Sequence, residues 1–140
     1  MNFVQINTIE EFKDAYRLLK QLVPTLPSFA EFQLIYADKE KYGYHLVALY
    51  DSSKIVCVAG LRFNVYYEVG KYLFIDDLIV DKSLRSKGIG TSMFKRLEEY
   101  ARANQCKQIQ LDTSVSLHKT HKFYYNQDMQ TTQYHMTKKI

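Results

Sequence analysis

Between the apolar run Phe74–Val80 and a helix-like segment starting near Gly90 lies Arg85-Ser86-Lys87-Gly88-Ile89-Gly90. Cations and glycines at such a junction suit an anion. A helix start carries unpaired N–H groups and partial positive charge, and glycine lets a phosphate approach the backbone closely. The same spacing also suits a strand-to-helix turn that needs glycine only for its shape, and a short glycine pattern alone does not choose between the two. Lys82, Arg85, Lys87, Lys95 and Arg96 gather around the loop. A phosphorylated small molecule or a nucleic acid would explain them. The net charge of +4, from 19 basic and 15 acidic residues, is too mild to make nucleic acid the leading partner.

Other side chains with chemical potential follow. Asp76 and Asp77 interrupt an apolar strand-like run, where a carboxylate is costly unless solvated or partnered. Strand alternation predicts that they face opposite ways. The plain reading is an exposed or salt-bridged carboxylate at an open strand edge. His118, His121 and His135 lack a fourth ligand at matching spacing, so no metal site is expected. Cys57 and Cys106 fall in apolar segments without metal-like spacing. They predict reduced, packed thiols and a cytoplasmic protein. No run reaches the length of a membrane span and the N-terminus has no leader pattern, so no membrane association is expected.

The elements that must position these residues can be read from periodicity. A chain of 140 residues with 46% hydrophobic content fits one folded domain, 1–140. Met1–Ile6 reads as a short strand. Thr8-Ile9-Glu10-Glu11 is a capping box, and Ile9, Phe12, Tyr16, Leu19 and Val23 then recur at helical spacing up to Pro24. A second helix is predicted over Phe29–Asp38, burying Phe29, Phe32, Ile35 and Tyr36. Tyr44–Asp51 and Lys54–Glu68 flank Ser52-Ser53 as a hairpin, and Lys71–Val80 is the next strand. A helix over Gly90–Asn104, a strand over Lys107–Ser114, a helix over Leu117–Gln127 and a final strand over Thr131–Lys139 complete the order. The fold class is α/β or α+β, a sheet with helices on its faces.

Taken together, Leu78-Ile79-Val80 followed by Arg85-x-x-Gly88-x-Gly90 on a strand-loop-helix resembles the acyl-CoA-binding signature of the GNAT superfamily of N-acetyltransferases. The segment Thr120-His121-Lys122-Phe123-Tyr124 resembles that family's "AHxFY" helix, and Gln133–Lys139 its closing strand. The resemblance covers most of the chain and is weakest over 1–38.

It implies a mixed, mostly antiparallel central sheet flanked by helices, with a splayed strand where acetyl-CoA binds. Backbone N–H groups of Arg85, Lys87, Gly88, Ile89, Gly90 and Thr91 would cradle the pyrophosphate. Backbone groups at Leu78, Ile79 and Val80 would meet pantetheine and the thioester carbonyl. The family's acidic residue beside the acceptor amine corresponds to Asp76, which is short for that role and favours a water relay. The family's general acid corresponds to Tyr124, with Tyr125 as its off-register neighbour. The implied reaction is acetyl transfer from acetyl-CoA to a primary amine, on a small molecule or a protein lysine, in a ternary complex without metal. A non-catalytic acyl-CoA-binding regulatory module is the alternative, and a homodimer is compatible with the resemblance. Two departures stand out: Leu117 replaces a common asparagine, and Asp128-Met129 replaces the usual Gly-Phe.

Overall fold

A computed structural model describes all residues, Met1–Ile140. The chain divides into two compact units, Met1–Gln110 and Leu111–Ile140.

In the first unit β1 (Asn2–Gln5) leads to α1 (Ile9–Leu22) and α2 (Phe29–Glu40), then β2 (His45–Asp51), β3 (Lys54–Tyr66) and β4 (Gly70–Val80). A single turn of 3-10 helix, Lys82–Leu84, precedes α3 (Ile89–Ala103), and β5 (Gln108–Leu111) closes the sheet. The strands lie in the order β1-β2-β3-β4-β5, with the first four antiparallel to their neighbours. The direction of β5 follows from one bond. Lys107, just ahead of β5, donates its N–H to the carbonyl of Lys71 near the start of β4 at 2.7 Å. Only a strand running the same way as β4 can stay beside it from that point, so the sheet is mixed, as α3 between the two strands requires.

Local chemistry explains the helices. Thr8 Oγ1 accepts from the Glu11 N–H at 3.2 Å, while Glu11 Oε2 accepts from the N–H groups of Asn7 and Thr8 at 2.8 and 3.0 Å. These bonds hold the Glu11 carboxyl below its ordinary range. Ser28 caps α2 in the same manner through the Glu31 N–H. On one sheet face Ala15, Leu18, Leu19, Phe32 and Tyr36 pack on Tyr44, Leu46, Ala48, Val58 and Ile79. Alternation sends His45 and Phe63 to the other face, where their rings meet Tyr100 of α3 at 5.9 Å.

Three expectations need correction. Ile35 is exposed, because the buried stripe of α2 narrows to Phe32 and Tyr36. Ile9 and Val23, at the two ends of the α1 stripe, are also exposed. The final strand over Thr131–Lys139 does not form; those residues carry no strand, and Tyr134 and Met136 are exposed. Alternating polarity makes a segment compatible with a sheet, but a strand also needs a ladder partner.

In the second unit, α4 spans His118–Tyr125. No helix of the chain is long and apolar enough to cross a membrane.

His45 supplies a test of this packing. Its Nδ1 lies 3.2 Å from the Gly43 carbonyl and its Nε2 3.0 Å from Tyr100 Oη, so the neutral ring donates to the carbonyl and accepts from the phenol. Burial pulls its pKa down, against the smaller effect of the Gly43 carbonyl. The unfolded chain therefore takes up this proton first as pH falls below about 6.5, and stability is lost as pH drops from there. Denaturation free energy measured from about pH 7 to about pH 5 should fall less steeply in His45→Asn than in the native chain. Equal slopes would show that His45 is not buried neutral.

Candidate active site

The strand β4 and the start of α3 carry the sequence-predicted residues of the first unit, Asp76 to Thr91. β4 has eleven residues and β5 only four. Since β5 starts beside Lys71, it ends before β4 does. The second half of β4, which carries Leu78, Ile79 and Val80, thus extends past β5 on that side, which is the splayed strand expected.

Between the two halves lies an irregularity. Gly60 pairs with Asp77 and Leu61 with Ile75, so Asp76 is an extra residue, a β-bulge. The bulge overturns the expectation that the two aspartates face opposite ways. Asp76 receives Arg62 Nε at 2.6 Å on Oδ2 and Nη2 at 2.8 Å on Oδ1. Asp77 Oδ2 receives the Tyr44 hydroxyl at 2.6 Å. Both negative charges raise the Tyr44 pKa, after burial as the largest cause, and the phenol stays neutral well beyond its ordinary range. Both carboxylates therefore serve the face on which α1 and α2 pack. Partners for acidic groups in an apolar strand were expected; Arg62 and Tyr44 carried no signal in the sequence, since each lies far along the chain from its aspartate.

The loop before α3 meets the geometric needs of an anion. Ser86 and Gly88 both have positive φ, 64° and 78°. Gly88 occupies the N-cap position of α3 in the left-handed conformation, and no side chain caps the helix. A Cβ added at Gly88 would meet nothing within 4 Å, so space lies open there. Arg85, Lys87 and Gly88 are exposed.

The remaining candidates sort by packing. In the second unit Tyr124 is half-buried and Tyr125 exposed, with the Tyr125 hydroxyl 2.8 Å from Thr131 Oγ1. His121 Nε2 lies 2.6 Å from the Ser114 carbonyl, a hydrogen-bonding role within its own loop. Cys57 is a free thiol sealed in the core, and burial pushes its pKa up to about 12. Cys106 is free as well, and its pKa is also raised by burial. Of the aromatics in the turns, Phe29 and Phe32 pack on Tyr16, whereas Tyr67 is fully exposed at the β3–β4 tip. A cavity of about 470 Å³ opens beyond the end of β1, walled by Phe12, Tyr36, Tyr44, His45, Phe63 and Tyr100 among others.

The model of the Acetyltransferase (GNAT) family matches residues 8–128. The chain belongs to this family. A Bacillus subtilis (strain 168) protein named as the uncharacterized N-acetyltransferase YhdJ is 28% identical over 120 residues, 86% of this chain and 84% of its own. Among solved structures, a Trypanosoma brucei acetyltransferase superposes with a TM-score of 0.78 at 22% identity, covering 99% of each chain. The aminoglycoside N-acetyltransferase AAC(6')-Iy, solved in complex with CoA, gives 0.83 at 17% identity, covering 99% of this chain and 93% of that one. At these identities the structural likeness establishes the fold.

Proposed function

We propose that the chain is an acyl-CoA-dependent N-acetyltransferase that passes the acetyl group of acetyl-CoA directly to a primary amine. The observation that carries this reading is the uncapped, left-handed start of α3 at Gly88, which follows a strand, β4, much longer than its neighbour β5. N–H groups from Arg85, Lys87, Gly88, Ile89, Gly90 and Thr91 hold the pyrophosphate, and the helix dipole adds to their pull. The open edge of β4 pairs with the pantetheine amides near Leu78 and Val80, as a peptide adds to a sheet edge. An N–H near Leu78 or Ile79 polarises the thioester carbonyl and stabilises the oxyanion.

Holding both reactants together makes the transfer effectively unimolecular. The amine must lose a proton to attack. Asp76 has both oxygens on Arg62, so its help runs through a bound water rather than by direct contact. Tyr124 gives its phenolic proton to the departing thiolate. A covalent acetyl-enzyme finds no support in the cysteines, since both thiol pKa values are raised and thiolate is the nucleophilic form. A small-molecule amine and a protein lysine both fit as acceptor. The unpaired thiols suit a reducing, cytoplasmic setting. We read the two units as serving a single N-acetyltransferase domain, because the family match runs through both.

Two substitutions test the halves of the mechanism. Gly90→Val places a branched side chain among the phosphate-facing N–H groups. It should abolish acetyl-CoA binding in calorimetric titration while circular dichroism still reports the helix. Unchanged affinity in the folded variant would refute the phosphate cradle. Tyr124→Phe keeps the ring and removes the proton. If thiolate departure limits turnover, kcat should fall by at least about 10²-fold, the lower end for a general acid, with little change in acetyl-CoA affinity. Tyr125→Phe is the control and should leave turnover nearly intact. Damage from the Tyr125 substitution instead would mean that the register of α4 is shifted by one.

A further inference from the structure

The two carboxylates at the bulge are held in different ways. Asp76 is engaged through both oxygens by Arg62. Asp77 gives only Oδ2, to the Tyr44 hydroxyl, and its Oδ1 makes no hydrogen bond within the protein and is not sealed from solvent. A carboxylate with one oxygen fixed and the other open is oriented and still available.

The orientation is built into three strands. Tyr44 leads into β2, Asp77 lies on β4, and their hydrogen bond crosses β3 directly over Gly60. A Cβ on Gly60 would overlap Tyr44 Oη and stand 2.5 Å from Asp77 Oδ2. The absence of a side chain at residue 60 is therefore what lets the phenol reach the carboxylate. Tyr44 cannot swing away easily. Its ring is buried, meets the edge of Tyr36 at 5.9 Å and carries the Lys39 ammonium 4.0 Å from its centroid. Asp77 immediately precedes Leu78, where the thioester carbonyl is placed in the mechanism above.

We propose that Tyr44 is a positioning residue that turns the free oxygen of Asp77 toward the acceptor, so that Asp77 binds the acceptor's ammonium directly while Asp76 stays with Arg62. This rests on the acetyltransferase reading and deepens its acceptor side. The recognised chemistry is a protonated primary amine presented to a pre-aimed carboxylate. Asp76 then acts only through water, and the two adjacent acids divide binding and proton removal between them.

The test is steady-state kinetics of Tyr44→Phe, Asp77→Asn and the double variant, using a primary amine that the native enzyme acetylates. A hydrogen bond to a charged group contributes enough to change affinity by about tenfold. Tyr44→Phe should raise the KM for amine by about that factor, with a smaller change in kcat and an unchanged KM for acetyl-CoA. Asp77→Asn should raise the amine KM at least as much, and the double variant should be no worse than Asp77→Asn alone, because the phenol acts only through the carboxylate. A lower melting temperature in Tyr44→Phe with an unmoved amine KM would make the contact purely architectural and overturn the proposal. Additive effects in the double variant would also overturn it. If the native chain releases no thiol with any amine, the acetyltransferase reading fails and this inference falls with it. Turnover by the native chain with an unaltered KM in Tyr44→Phe removes this inference alone.

Discussion

One extra residue in one strand organises this molecule's candidate site. At Asp76 the ladder between β3 and β4 slips by a residue, and the regular alternation of side chains is broken there. Two adjacent acidic side chains can then address the same sheet face, each with a dedicated partner. The slip also falls near the point where β4 outruns its short neighbour β5. In the proposed function the backbone groups beyond it pair with the pantetheine amides. The partners of the bulge are drawn from distant parts of the chain. Arg62 reaches across from β3, while Tyr44 arrives over a glycine that leaves it room.

The second half of the site depends on the backbone at the far end of the same strand. Ser86 and Gly88 are both left-handed, and α3 begins there without a side-chain cap. In the proposed function, the pull on the pyrophosphate comes from main-chain direction and helix polarity, with surrounding lysines and arginines adding long-range attraction. This agrees with the mild net charge: a loop whose N–H groups meet the phosphate itself does not need a strongly basic surface. The packing of α3 through Met93, Phe94, Leu97 and Ala101 fixes the helix start relative to the sheet.

What the sequence revealed and what it hid divide along physical lines. The capping box at Thr8, the Ser52-Ser53 hairpin and the helix expected over Gly90–Asn104 are local, and each formed within a residue or two of its expected place. The glycine loop was legible for the same reason, since the need for positive φ at Gly88 is written in the residue itself. The bulge was not. It is a relation between two strands, and nothing in the local run "FIDDLIV" announces which residue will be left without a partner. For the same reason Arg62 and Tyr44 could not be assigned to Asp76 and Asp77 in advance. Thr131–Lys139 shows the converse case, in which an alternating pattern is present and the ladder is not.

The central claim is that acetyl-CoA and an amine meet in one complex and react directly. Initial-velocity measurement of thiol release from acetyl-CoA over a panel of primary amines, with both substrates varied, tests it most directly. The expected result is amine-dependent release with intersecting double-reciprocal lines and acetylated amine as the product. Release that no amine accelerates, or parallel lines together with an acetyl group retained on the protein by mass, would contradict it.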